Sequence, residues 1–303
     1  MPTFRNGRVA ASYQLNFFWH FNKATGRLLT IEFDGLFPTP PHLSREDFMS
    51  NQNNGLTDQN GLPASKLDAK PSPYADPREP GLPETGFRLD LSKAALVVVD
   101  PQNDFLSPQG ASWALFGASI TENDTVANIG RLFAAAKNVD IPVAVSPHYY
   151  YPSDHEWHFG GPLEKAMHNI CMFDRKGPVT LEGFEGSGAD FLEEYKPYIL
   201  DGKTIIASPH KVYGPETNDL ALQLRKKGVS QIILAGMAAN LCIESHLREL
   251  LEQGFEIAVV RDATAGPRMP EGDGYLAAII NYRFLAHALW TTAQTVEQLQ
   301  QSR

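Results

Sequence analysis

The stretch IILAGMAANLCIESHLRELLEQGF, residues 232–255, decides the fold. It opens with an apolar run rich in β-branched residues, which suits a strand buried on both faces. A short turn, Gly236 to Asn240, follows. Beyond it Ile243, Leu247, Leu250 and Leu251 recur at helical spacing, Glu244 and Arg248 pair one turn apart, and Gly254 ends the helix. Cys242, one of two cysteines in the chain, sits where the turn becomes the helix.

Working outward, the same alternation of buried strand and helix begins near residue 94. Strand-like runs occupy 94–100, 141–147, 203–209, 230–236 and 255–262, with a further candidate at 287–292. Helical periodicity covers 122–137 and a segment from Thr217 or Asn218 to the basic, glycine-ended RKKG at 225–228. Apolar strands joined by helices imply a mostly parallel sheet covered on both sides. The expected fold is a doubly wound, three-layer α/β/α sandwich occupying residues 91–303. Residues 1–90 read as an N-terminal extension. Within it RVAASYQLNFFWHF and RLLTIEF flank NKATG as a β-hairpin, and residues 50–90, dense in Pro, Gly, Asn and Asp, read as a wrapping segment. A hairpin is too small to hold a core alone, so it is expected to pack on the main domain or on a neighbouring subunit.

The formal charge of −9, without a cluster of Lys and Arg, argues against nucleic acid and anionic membrane as partners. No run of about 18 apolar residues exists to span a bilayer, and the first residues lack a signal-peptide core, so a cytoplasmic location with free thiols is expected. The expected partner is a small molecule.

In parallel sheets of this kind ligands bind at the carboxyl ends of the strands. Those positions hold Asp100, His148, His210, Lys211, Cys242 and Asp262. Asp100, Lys211 and Cys242 make a coherent chemical set. A thiol attacks as thiolate, a cation and a helix N-terminus favour that form, and a carboxylate can carry the proton. Phe105, His148 and Tyr213 are candidate pocket residues by position. Each feature also has a plain structural explanation: a free cysteine is commonly buried packing, an aspartate after a strand is commonly a cap, and a loop lysine is commonly solvated. Nucleotide binding fits poorly, because DPQNDF rather than a glycine-rich loop follows the first strand.

The segments ALVVVDPQNDFL, HKVYGPETNDLALQLRKKGVSQIILAGMAANLCIESHLRELLEQGFEIAVVRDATAG and ALWTTAQTVEQL resemble the cysteine hydrolases of the isochorismatase-like superfamily across residues 94–295. The resemblance implies Asp100 as general acid/base, Lys211 as the residue that lowers the thiol pKa, and Cys242 as nucleophile. It also implies a cis peptide between Met237 and Ala238, with the backbone N–H groups of Ala238 and Cys242 forming an oxyanion hole. The expected reaction is cleavage of a C–N bond in a small amide or carbamoyl compound through a thioester, by a homo-oligomer, dimer or tetramer. Vinyl ether hydrolysis and a non-catalytic binding or scaffold role are the alternatives. Nicotinamidases of this superfamily often hold a metal through an Asp-x-His pair. Here Ser146 stands at the aspartate position, so no cofactor is expected, and zinc on His148, His155 and His158 is the remaining option.

Overall fold

Buried, largely β-branched runs become the strands of the sheet. In chain order they are β1 (Ala94–Val99), β2 (Val143–Ser146), β3 (Ile205–Ile206), β4 (Gln231–Gly236) and β5 (Glu256–Val260), then a small antiparallel pair, β6 (Arg268–Met269) and β7 (Gly272–Asp273), and finally β8 (Ala288–Trp290). The computed structural model describes residues 72–78 and 81–301. The expected hairpin and most of the wrapping segment lie outside the described residues. The sheet has six strands in the order β3-β2-β1-β4-β5-β8, and every pairing in it is parallel. The chain therefore builds from β1 towards one edge, crosses back, and builds from β4 towards the other. The order reverses between β1 and β4, which is where such sheets open a crevice.

Successive residues of β1 face opposite sides of the sheet, as the period of two requires. Leu96 and Val98 join a core with Ile129, Leu132 and Phe133 of α3 (Thr125–Asn138), while Val97 and Val99 join a second core with Leu224, Leu247 and Leu250. The helices before α3 are α1 (Asn103–Leu106) and α2 (Trp113–Glu122). Those after it are α4 (Pro162–Asn169), α5 (Lys196–Ile199), α6 (Leu220–Lys226), α7 (Glu244–Glu252), α8 (Gly274–Leu285) and α9 (Thr292–Gln301). Two cores on either side of a parallel sheet are the three-layer sandwich expected from the sequence.

Several local features depart from expectation, among them the helices α2, α4 and α9, which were not among the expected elements. The third run, 203–209, contributes only Ile205–Ile206 to the ladder, as an edge strand with Ile206 44 % exposed. Helix α8, the longest of the unexpected helices, fastens the site region. Asp273 caps it by accepting from the N–H of Leu276 at 3.0 Å, and Tyr275, Ala278, Ile279 and Tyr282 bury one face. The described end of the N-terminal segment is fastened to this region. Tyr74 packs edge-on against Tyr275 and donates its hydroxyl to Asp273 at 2.5 Å, and Asp76 accepts from Arg261 and Arg283. Among the described residues no helix is long and apolar enough to cross a membrane.

Candidate active site

β1 ends at Asp100, which is fully buried, has a left-handed backbone (φ 49°) and donates its N–H to Ser146 O at 3.0 Å. Asp tolerates this conformation better than most residues. In the DPQNDF stretch the other polar side chains lock the walls. Gln102 donates to the carbonyls of His148 and Ala189 and accepts from the His148 N–H at 2.8 Å, which ties the ends of β1 and β2 together. Asp104 accepts from the N–H of Phe173 at 2.6 Å and from that of Ala111 at 3.1 Å.

On the other side of the switch point, Gly236 ends β4 at φ 118°, where a Cβ would lie 2.0 Å from Val99 O. The Met237–Ala238 peptide is cis. A single π-helical turn, Ala239–Ile243, then leads into α7. Such turns are frequent at functional sites. This one carries Cys242, 4 % exposed, to the foot of the crevice.

One donor atom each from Asp100, His148, His210 and Cys242 lies within 4.8 Å of the others, and all four residues are buried. His210 Nε2 is 2.8 Å from Asp100 Oδ1. An ionised carboxylate only accepts, so Nε2 carries the proton. Asp100 Oδ2, His148 Nδ1 and His210 Nδ1 have no hydrogen-bond partner among the described residues. Burial, then the charge of Asp100, pushes the Cys242 thiol well above its ordinary pKa, so the resting form is the neutral thiol. The backbone N–H groups of Ala238 and Cys242 face the sulfur and act in the opposite direction. These are the two amides assigned to the oxyanion hole in the sequence.

Lys211 is not in this cluster. Its ammonium donates to Asp154 Oδ2 at 2.6 Å and to Tyr149 O at 2.8 Å and lies 3.7 Å from the centre of the Tyr151 ring. The side chain that meets Asp100 belongs to the preceding residue. Neighbours on extended chain point to opposite sides, and here His210 points in while Lys211 points to the loop after β2. The sequence placed both residues at this strand end, and alternation allows only one of them to face Cys242.

The remaining candidates separate in the same way. His148 is buried, stacks on Phe173 and lies 4.6 Å, ring centre to ring centre, from His210. Phe105 and Tyr213 line a cavity of about 140 Å³ that reaches Cys242. Asp262 accepts from the N–H and hydroxyl of Thr292 at the start of α9 and is structural. The three-histidine metal set does not assemble. His155 pairs with Asp174 at 2.9 Å and packs on His168, and His158 packs beside Phe159. Asp100, His148, His210 and Cys242 have the donor types of a zinc site, and although Asp100 Oδ1 and His210 Nε2 engage each other, Asp100 Oδ2, His148 Nδ1 and His210 Nδ1 are without partners among the described residues.

His246 escaped the sequence reading altogether. It is fully buried on α7, with Nδ1 2.7 Å from Cys242 O and Nε2 2.9 Å from Ser146 Oγ, which in turn accepts from Asn218 Nδ2 at 2.9 Å. A carbonyl only accepts, so Nδ1 carries the proton and Nε2 accepts from the serine hydroxyl. The chain Asn218, Ser146, His246, Cys242 is coherent in direction throughout. Burial, then the nearby His210, lowers the pKa of His246 to about 3, so the ring is neutral near neutral pH.

A profile of the isochorismatase domain matches residues 94–294. The chain is 32 % identical to the ureidoacrylate amidohydrolase of Pseudomonas savastanoi pv. phaseolicola over 222 residues, 70 % of this chain and 82 % of that protein. It is 28 % identical to the ureidoacrylate amidohydrolase of Variovorax paradoxus over 222 residues, 70 % of this chain and 83 % of that one. The crystal structure of a cysteine hydrolase from Pseudomonas syringae pv. phaseolicola superposes with a TM-score of 0.61 at 19 % identity, covering 74 % of this chain and 100 % of that one. With a matching profile across the whole parallel sheet and a relative 32 % identical over 70 % of this chain, the chain belongs to the isochorismatase family.

Proposed function

We propose that this protein hydrolyses the C–N bond of a small amide or carbamoyl compound through a thioester on Cys242. The observation that carries the reading is the buried cluster at the switch point, where Asp100 lies beside Cys242 and is held by His210. The relatives named as ureidoacrylate amidohydrolases support the bond type.

His210 Nε2–H occupies Asp100 Oδ1 and leaves Oδ2 as the free proton acceptor. As the substrate carbonyl enters, Asp100 takes the thiol proton and the sulfur attacks the carbonyl carbon. The oxyanion is held by the N–H groups of Ala238 and Cys242. The C–N bond breaks as Asp100 returns the proton to the departing amine. Water, deprotonated by Asp100, then cleaves the thioester and regenerates the thiol. His210 takes the place in this cluster that the family resemblance gave to Lys211, and Lys211 instead holds the loop that begins at His148. The enzyme works without a metal, in the cytoplasm and as a homo-oligomer.

The test is ammonia release from primary amides, ureido acids and carbamoyl compounds, with Cys242→Ala beside the wild type and mass spectrometry for the acyl-enzyme. Release that vanishes in the variant, with an acyl adduct on Cys242, supports the reading. Undiminished release from Cys242→Ala sinks it.

A further inference from the structure

The cavity of about 140 Å³ that reaches Cys242 is walled by apolar side chains, chiefly Phe105, Phe116, Leu163, Met167, Met172 and Leu241. Phe105 and Phe116 meet edge to face with ring centres 5.1 Å apart, a packed wall rather than a solvated rim. Among its described lining residues there is no Lys, Arg, Asn or Gln. The polar groups it does contain are mostly engaged. Ser112 donates its hydroxyl to Asp104 O at 2.7 Å, and the Tyr213 hydroxyl hydrogen-bonds Glu164, a carboxylate only 3 % exposed. A substrate carboxylate placed here would be stripped of water, would meet no cation, and would face a second buried acid. Burying an unpaired charge is costly. A cavity of about 150 Å³ lined by Leu, Ile and Phe stays dry and takes a molecule the size of benzene.

One polar side chain of the wall, that of His148, has an unengaged atom. His148 Nε2 lies 3.3 Å from Lys211 O, and because a carbonyl only accepts, Nε2 carries the proton. Burial, with the nearby His210, keeps this ring far below its ordinary pKa and therefore neutral. Nδ1 is then a bare acceptor, 1 % exposed at the residue level and without a partner among the described residues. A bare buried acceptor requires a donor. The scissile amide supplies one in its N–H.

From these two features we infer the substrate class: an amide whose acyl part is uncharged, apolar and about the size of a benzene ring or a short branched alkyl chain, with its N–H held by His148 Nδ1. This rests on the Cys242 reading above and narrows it. It departs from the ureido acid that the relatives' names would suggest.

The experiment measures kcat/KM for benzamide and isovaleramide, for the ureido acids N-carbamoylglycine and 3-ureidoacrylate, and for the methyl esters of the first two acyl groups. Wild type, Cys242→Ala, His148→Phe and Ile170→Arg are compared. The neutral amides are expected to exceed the ureido acids by a hundredfold or more. Ile170, half-exposed at the cavity edge, tolerates a longer side chain. The guanidinium of Ile170→Arg should shrink that preference at least tenfold. His148→Phe preserves the aromatic packing but removes the acceptor, so the amide-to-ester ratio should fall tenfold or more. Ureido acids turned over as well as the neutral amides, and abolished by Cys242→Ala, would overturn the substrate class while leaving the thioester mechanism intact. Neutral amides turned over equally by Cys242→Ala would instead remove the mechanism beneath it. No turnover of the neutral amides by wild type overturns the substrate class, whatever the ureido acids do. An unchanged amide-to-ester ratio in His148→Phe overturns the role given to Nδ1.

Discussion

His210 Nε2 lies 2.8 Å from Asp100 Oδ1, and neither side chain is exposed to solvent. The two residues are 110 positions apart, at the ends of β3 and β1, and only the parallel sheet brings them together.

Replacing His210 with Ala leaves the carboxylate without its donor in a dry site. The expected loss in kcat/KM is about 10²–10⁴-fold, the range for a general acid–base group and its support. Stability should fall by about 1–3 kcal/mol for the unpaired buried acceptor. Lys211→Met should cost less than about tenfold in kcat/KM, since the Lys211–Asp154 pair is about a quarter exposed and such pairs contribute about 1 kcal/mol or less. Steady-state rates of the two variants decide between the residues, and a larger loss for Lys211→Met would restore the lysine to the chemistry.

Acid should destabilise the fold through His246. Its folded ring titrates at about 3, whereas an unfolded histidine titrates near 6.5. Between those values the unfolded chain binds a proton that the native state refuses, so stability is complete above about pH 6.5 and falls as the pH drops towards the folded value. The slope approaches 1.4 kcal/mol per pH unit for one such group, about the energy of one pKa unit. His148 is shifted in the same direction and adds to it. Urea unfolding at pH 7, 6 and 5 should show the slope, and His246→Gln should reduce it. An identical slope in that variant would remove His246 as the source.

At alkaline pH the Cys242 thiol should act with the opposite sense. Its folded pKa is raised, so the native state keeps a proton that the unfolded thiol loses above about pH 8.5. The stabilisation is present below that pH and declines as the pH rises through it. Comparing wild type and Cys242→Ala in urea between pH 8 and 10 isolates the contribution, and parallel decline in both proteins would count against it.

Gly236→Ala should be among the most damaging single changes in the chain. The new methyl would meet Val99 O at 2.0 Å, on a backbone with φ 118°. Neither the carbonyl, part of the ladder between β1 and β4, nor the φ can adapt without moving the turn that carries Cys242. Loss of soluble folded protein, or a melting temperature lowered by more than about 10 °C, is the expected outcome, since about 1 kcal/mol already shifts the midpoint of a large domain by about 2–4 °C. A variant that melts like the wild type would refute the close approach.

The sheet was legible because buried strands and amphipathic helices carry different periods, and the run at 94–100 and the strand–turn–helix at 232–255 carry them clearly. The meeting of Asp100 and Cys242 was legible for the same reason, since the topology gathers those strand ends at one crevice. The His210 and Lys211 pair was not. Two adjacent polar residues at a strand end face opposite ways, and only the pairing of β2 with β3 decides which one faces in. His246 was hidden more deeply. On a helix it falls at the spacing of the apolar stripe, and nothing local distinguishes a packed histidine from one bonded to the Cys242 carbonyl. Helix α8 was missed because Gly274 and the apolar residues after it blur the amphipathic contrast.

The groups proposed to break the bond and the groups proposed to choose the molecule come from different stretches of chain. Asp100, His210 and Cys242 stand on strand ends and a turn tied into the sheet, whereas Leu163, Met167 and Ile170 belong to α4 and its C-terminal end, on the connection between β2 and β3. Substitutions along that connection can therefore redraw the guest list of the enzyme while leaving its chemistry in place. Descent with altered diet is open to this scaffold one residue at a time, and a laboratory selection for new amides would be expected to accumulate its first changes between positions 163 and 172.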